Sequence, residues 1–342
     1  MYTIPVAIVG LGRIASLLET DPLREKPCTH AGAVQANAET VLVAGADQDP
    51  KKRVCFAETW QCPVYAEAEE MLQTHAPRIV IIATHPDSHA RYCRMAAAYQ
   101  VPVGICEKPL ADTLQRAREI AALHRSGTIR ILTNHERRYG ADYIQAKAIL
   151  DAGRLGPILS LKATLYMGRT QRILDVLWHD GTHLADAIMF LSGSVMRHQR
   201  IWGARLNQRH GTACLSGYLD PGTGRWSRGK PIKGPPFLLE IGAERDHLVF
   251  ELEFSCTQGR VRIGNGIFEV WESAESPYAE GFRSLRKTQD TFEGPTGYFA
   301  NMLQDAAACV REPDRQPRSS ALDGLRVIQY LNSVQPWRNP CG

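Results

Sequence analysis

The stretch V-A-I-V-G-L-G-R-I-A, from Val6 to Ala15, restricts the possible fold more than any other part of the chain. Val6 to Val9 read as a buried strand and Gly10-Leu11-Gly12 as a turn. Arg13-Ile14-Ala15 read as the opening of a helix that Ser16, Leu17 and Leu18 continue. Glycine at 10 and 12 removes the Cβ atoms that would hold a dinucleotide pyrophosphate off the backbone. The free N–H groups and dipole of the new helix favour the phosphate charge. Gly10, Gly12, Arg13 and Ile14 are therefore the expected pyrophosphate contacts, and Ala15 in the third place of the fingerprint lets helix and strand pack closely. Glycine-rich turns after strands are common, so the assignment needs an acid downstream.

That acid is Asp47, which ends a second strand running from Val41 to Ala46. A carboxylate there accepts both ribose hydroxyls of NAD and repels the 2′-phosphate of NADP. Arg53 and the Lys51-Lys52 pair are near enough in sequence to keep NADP open. Between the first helix and this strand, Glu19 to Glu39 is polar and carries Asp21-Pro22 and Lys26-Pro27. It is longer than a usual connection and reads as an insertion near the cofactor mouth. Helices at 49–57, 67–73, 88–99 and 112–125 then alternate with strands at 64–65, 78–84, 101–106 and 129–133. This alternation predicts an α/β Rossmann dinucleotide-binding domain over 1–135, with a parallel sheet covered on both faces. Ligands bind at the carboxyl ends of such strands, where Ala83-Thr84-His85 and Glu107-Lys108 stand. His89, in the same loop as His85, reads as a packing residue.

After Tyr139 the pattern changes. A helix at 141–152, a strand at 158–167 and a helix at 183–191 precede strands at 200–206, 212–219, 237–241, 247–254, 259–263 and 267–271. Helices at 296–311 and 319–334 close the chain. Residues 136–342 are thus expected to form an α+β substrate and oligomerisation domain with an open, mainly antiparallel sheet. Pro221 to Pro236 is a Gly/Pro-rich loop with Arg225, Arg228, Lys230 and Lys233 and no acid. It reads as a solvated loop or as a cover for an anionic substrate, such as a phosphorylated or nucleotide-linked sugar.

Composition narrows the partners. The 342 residues suffice for two domains, and a net charge of +4 gives no argument for nucleic acid or a membrane surface. No apolar segment approaches the ~18 residues of a spanning helix, and the N-terminus lacks the basic region of a signal peptide. Nine scattered cysteines with no C-x-x-C point to reduced thiols and a cytoplasmic setting.

Three constellations carry chemistry. In Glu107-Lys108-Pro109, proline fixes the backbone after an ammonium that could polarise a carbonyl or hold an alkoxide. Arg137-Arg138-Tyr139, at the expected domain junction, could bond substrate hydroxyls or carboxylates, or equally link the domains structurally. Trp178-His179-Asp180-Gly181-Thr182-His183-Leu184-Ala185-Asp186 places two histidines four apart, on one face of a helical turn. A histidine near neutral pKa suits a general base that takes a hydroxyl proton while hydride leaves the carbon, and Asp180 or Asp186 could orient it. The same letters fit the zinc-protease pattern with Asp for Glu. A glycine inside it weakens the helix and a dinucleotide fold would go unexplained, so no metal is expected.

Taken together, G-L-G-R-I-A at Gly10–Ala15, the acid Asp47, F-A at Phe56-Ala57, E-K-P at Glu107–Pro109, R-R-Y at Arg137–Tyr139 and G-x-H-x-x-D at Gly181–Asp186 resemble the Gfo/Idh/MocA oxidoreductases, relatives of glucose–fructose oxidoreductase and inositol dehydrogenase. The resemblance implies reversible, NAD(P)-dependent oxidation of a sugar, polyol or nucleotide-sugar hydroxyl. It implies that Lys108 touches nicotinamide and substrate, and that His183 is the acid/base. His179 stands where the family often has Asp, with Asp180 beside it, and His85 stands where a proline is usual. Trp178, Arg138 and Tyr139 fall to the substrate, and homodimers or homotetramers joined through the C-terminal sheet are implied. The same residues would serve a redox-neutral glycosidase or epimerase that regenerates NAD. A decayed dinucleotide- or sugar-binding protein is the non-enzymatic alternative.

Overall fold

The structure is a computed structural model that describes residues 3–168, 171–222, 226–227, 230–231 and 234–334, the two short pairs through their backbone only. In chain order the elements begin β1 (Ile4–Val9), α1 (His30–Ala36), β2 (Thr40–Ala46), α2 (Pro50–Trp60), β3 (Val64–Tyr65), α3 (Ala68–His75), β4 (Ile79–Ile82) and α4 (His89–Ala98). Next come β5 (Val103–Cys106), α5 (Leu114–Arg125), β6 (Arg130–Thr133), α6 (Ala141–Asp151), β7 (Ile158–Tyr166), α7 (Ile173–His179) and α8 (Gly181–Ser192). Then follow β8 (Val195–Gly203), β9 (Gly211–Asp220), β10 (Trp226–Ser227), β11 (Lys230–Pro231), β12 (Pro236–Ala243) and β13 (Val249–Cys256). The chain ends with β14 (Gly259–Gly264), β15 (Ile267–Glu275), β16 (Arg283–Lys287), α9 (Tyr298–Arg311) and α10 (Ala321–Val334). Two compact units result: residues 1–141 with 295–328, and residues 142–294 with 329–342.

The first unit is built on a six-stranded sheet of order β3-β2-β1-β4-β5-β6. All its pairings are parallel. The runs Ile79–Ile82 and Val103–Cys106 are buried at every position, as strands covered on both faces require. One cover comes from far along the chain. Phe299, Met302, Leu303 and Ala306 of α9 share a core with Ile8, Ile79, Ile81 and Ile105. The expectation that 136–342 forms one domain therefore fails for α9 and the start of α10. The apolar face of α9 completes the core of the first sheet, and residues up to 328 cluster with the same unit.

The helix expected from Arg13 to Leu18 is also corrected. Residues 13–16 form a turn and Leu17–Thr20 a single 3-10 turn. The helix resumes at α1, where the N–H groups of His30 and Ala31 donate to the carbonyls of Ile14 (3.1 Å) and Ala15 (2.9 Å). Residues 16–29 are thus an excursion out of the helix, and α1 satisfies two of its orphan N-terminal donors on the turn it left. Glu19 ties the excursion shut, accepting from Cys28 N–H and Thr29 Oγ1. Glu25 caps the start of α9 by accepting from Thr296 and Gly297 at 2.7–2.9 Å.

The second unit holds an eight-stranded sheet of order β16-β15-β14-β13-β7-β12-β9-β8. It is antiparallel except where β12 returns parallel to β7. Phe250, Leu252 and Phe254 are buried while Glu251, Glu253 and Ser255 alternate with them on the other face. Helices α7 and α8 pack on this sheet. Three elements differ from expectation. β8 ends at Gly203 after a register shift near His198, so it begins and stops earlier than 200–206. β16 is an exposed edge strand of Arg283, Arg286 and Lys287, whose charge hides any apolar alternation. α7 precedes the single helix expected there. Arg225, Arg228, Lys233 and the side chain of Lys230 lie outside the described residues.

Candidate functional site

Parallel register brings the candidate residues of the first unit together. Val9 pairs with Ala46 and Ile82, and Ile82 pairs with Cys106. The residues that follow, Gly10, Asp47, Ala83 and Glu107, therefore stand in a row along the carboxyl edge of the sheet. The row sits at β1 and β4, where strand order reverses and an open sheet of this kind holds its ligand.

Gly10 has φ +88°, and a Cβ there would meet the Ala83 carbonyl and the Thr84 methyl at under 3 Å. Only glycine fits such a position without strain. A Cβ on Gly12 would project into open space. The first helical-type bonds run from Ser16 and Leu17 N–H back to the Gly12 carbonyl. The N–H groups of Gly12, Arg13 and Ile14 precede that bond, in the place of the donors that a first turn leaves without an intrahelical acceptor. This cradle fits a pyrophosphate through its amides. The dipole of a long helix is not part of it, since the helix is interrupted.

Asp47 is coupled to the turn. Its Oδ2 accepts the Leu11 N–H at 2.8 Å and its Oδ1 the Asp49 N–H at 2.9 Å, with Lys52 Nζ 3.6 Å from Oδ2. Each oxygen keeps a lone pair that a ribose hydroxyl could use. Arg53 donates to the Asp47 and Gln48 carbonyls. Thr84 and Ala83 are half-buried and His85 exposed beside them. His89 is fully buried between the carbonyls of Thr84 and Leu110, and burial pushes its pKa down, in keeping with a packing role.

At the end of β5 the Glu107 carboxylate is buried and Lys108 is half-buried. Burial works to raise the Glu107 pKa. Hydrogen bonds from His30 and Asn134 and the charge of Lys108 reverse this and hold it below the ordinary value. Neither His30 nor Asn134 stood out in the sequence: His30 lies in a polar excursion, whereas Asn134 could have been found from its place just beyond a parallel strand.

Arg138 and Tyr139 are corrected as substrate ligands. Tyr139 has no exposure; its hydroxyl donates to Asp305 at 3.1 Å and accepts the Ser319 N–H at 3.2 Å. Arg138, 7% exposed, lies 3.3 Å from Asp323 and donates to the Arg318 carbonyl. Both fasten β6 to the segment before α10, because their polar ends find partners inside the unit.

The second unit carries its own group of candidate residues, around Asp180. α7 ends on His179, α8 begins at Gly181, and the Asp180 carbonyl accepts the His183 N–H at 3.1 Å. The expected shared helical face of His179 and His183 is corrected, since the pair straddles a helix junction. A Cβ on Gly181 would come within 3.0 Å of the tip of the Leu177 side chain, a tight contact. His179 is exposed, with Nδ1 3.1 Å from Asp180 Oδ2. His183 is half-buried in the first turn of α8, with buried Asp186 one turn further on the same helix face. Trp178 is half-buried, and its indole N–H has no hydrogen-bond partner among the described residues. No cluster of three His, Cys, Asp or Glu among the described residues could hold a metal ion.

The strand order, the glycine turn and the acid after β2 define a Rossmann-type dinucleotide-binding protein. Residues 4–135 match the Gfo/Idh/MocA family, described as an oxidoreductase family with an NAD-binding Rossmann fold. The inositol 2-dehydrogenase of Streptomyces avermitilis is 29% identical over 284 residues, 80% of this chain and 76% of that protein. Alignments with the first curated relatives are shorter, spanning 31% and 38% of their length. Two solved structures share the fold over nearly the whole chain. UDP-N-acetylglucosamine 3-dehydrogenase GnnA from Acidithiobacillus ferrooxidans has a TM-score of 0.75 at 15% identity, covering 98% of this chain and 97% of that one. The WlbA dehydrogenase from Bordetella pertussis, in complex with NADH and UDP-GlcNAcA, has a TM-score of 0.72 at 17% identity, covering 97% and 95%.

Proposed function

We propose that this protein is an NAD-dependent dehydrogenase or reductase acting on a CH–OH group of a sugar, polyol or nucleotide sugar. The observation that carries the reading is the row Gly10, Asp47, Ala83 and Glu107 at one sheet edge, with Lys108 next in line. NAD, when bound, supplies a two-electron hydride acceptor. The chain's own residues manage the proton and the charge. His183 takes the hydroxyl proton as the carbon–hydrogen bond breaks, and Lys108 steadies the oxygen as it passes from alkoxide to carbonyl. Asp186, one turn along α8, orients the His183 ring. His179 and Trp178 hold neighbouring substrate hydroxyls. The relatives named for inositol and UDP-sugars support a carbohydrate substrate.

Turnover on a panel of polyols, sugars, sugar acids and nucleotide sugars, read as NADH formation, tests this. His183→Ala and Lys108→Ala are each expected to lower turnover by ~10²-fold or more while NAD still binds. Rates like the unmodified protein's in both variants would remove the mechanism.

A further inference from the structure

Glu107 is a buried carboxylate of the first unit that receives three hydrogen bonds, and the proposed chemistry makes no direct use of it. Its Oε1 receives His30 Nε2 at 2.7 Å and Asn134 Nδ2 at 2.6 Å, and its Oε2 receives the Lys108 backbone N–H at 3.2 Å. The donors come from α1, from the residue after β6 and from the end of β5 itself. A buried ion held this way is strongly directional, because low local dielectric strengthens each bond. The His30 ring is 1% exposed and set edge-on against Phe299, with ring centroids 5.2 Å apart. Its Nδ1 meets no partner among the described residues, so the ring forgoes one hydrogen bond to make the other. The ring nitrogen facing the ionised carboxylate oxygen is Nε2, so the proton of this bond sits there.

The excursion of residues 16–29 explains how the histidine arrives. α1 resumes on the carbonyls of Ile14 and Ala15, so the backbone N–H of His30 is anchored to the pyrophosphate turn while its ring reaches Glu107. Two hydrogen bonds in series thus join the glycine turn to the end of β5.

We propose that His30, assisted by Asn134, is a positioning residue for Lys108. By fixing the Glu107 carboxylate it fixes the peptide between Glu107 and Lys108, and with it the direction in which the ammonium leaves the sheet edge. The proposal rests on the reading that Lys108 faces the nicotinamide.

The test compares NADH with ADP-ribose, which lacks the nicotinamide, by titrating the full chain. His30→Asn withdraws the donor from Nε2 and is expected to weaken NADH about tenfold, with ADP-ribose unchanged within about twofold. His30→Gln, whose amide nitrogen reaches the Nε2 position, is expected to restore NADH binding to within about threefold. Unchanged NADH affinity in His30→Asn, or an equal loss of both ligands, would overturn the proposal. If His30→Asn does not fold, Asn134→Leu removes the other donor to the same oxygen and is read in the same way. Lys108→Met tests the underlying reading separately. Selective loss of NADH in Lys108→Met with none in His30→Asn overturns the positioning role alone, while unchanged NADH in Lys108→Met overturns the placement of Lys108.

Discussion

Asp47 is asked to do two things with one carboxylate. It ties the Leu11 N–H, and so the glycine turn, to the end of β2, and in the proposed reading it also accepts ribose hydroxyls. The first task leaves it pointing at the turn, where a 2′-phosphate would meet its charge. NAD is therefore expected to bind at least about tenfold more tightly than NADP. Lys52 and Arg53 work against a larger ratio, since both cations lie close to this strand end. Asp47→Ala is expected to narrow the ratio toward unity and to cost about 1 kcal/mol of stability, because the Leu11 donor loses its acceptor. Titration with both cofactors and denaturant unfolding check the two effects. Equal dissociation constants in the unmodified protein would contradict the preference.

α9 shows how a helix distant in sequence can belong to the first sheet. Its apolar stripe joins the core of β1, β4 and β5, and its single buried acid, Asp305, gathers the surroundings. One oxygen of Asp305 takes the Tyr139 hydroxyl and the Arg318 N–H, and the other takes the Arg315 guanidinium at 3.0 Å. Removing it strands the buried Tyr139 hydroxyl and one backbone donor. Asp305→Ala is expected to lower the unfolding free energy by about 3 kcal/mol. Surface pairs of the second sheet should behave differently. Arg262 with Glu251 is about one-third exposed on both sides, and its removal is expected to change stability by well under 1 kcal/mol. Urea unfolding of the two variants side by side checks the contrast.

Acid sensitivity is a property of the full set of protons taken up on unfolding. Burial pushes His89, His124 and His198 below their ordinary value of 6.5. Their contribution is present above pH 6.5 and is lost as pH falls through their folded values. Carboxylates add a second phase. Glu107 is held below 4.5 by His30 and Asn134 against the effect of burial, and Asp290 is held at about 2 by Arg154 and Thr288. They stabilise above their ordinary values and cease to do so as pH falls further. Glu136 works the other way, its pKa raised by burial. Unfolding free energy is expected to decline gently below pH 6.5 and steeply below about 4.5. Glu107→Gln should flatten the steep part, and an unchanged slope would show that this carboxylate is not held low.

Much of the first unit was legible in residue order. Buried runs such as Ile79–Ile82, the glycines at 10 and 12 and the acid at 47 are local signals of parallel strands and a phosphate turn, because strand period, turn geometry and strand-end position are set by near neighbours. The alternation of β13 likewise announced a sheet with one covered face. Contacts between distant segments could not be read this way. Nothing in the residues around His30 indicates that a 14-residue excursion brings it back onto Ile14 and against Glu107. Nothing around Tyr139 says that Asp305 takes up its hydroxyl. The domain to which α9 belongs depends on which sheet its apolar stripe meets. Local chemistry thus determined which backbone shapes form. The partner of each buried polar group is decided only when chain segments far apart in sequence are packed together, since a hydrogen bond depends on distance in space and not on separation along the chain.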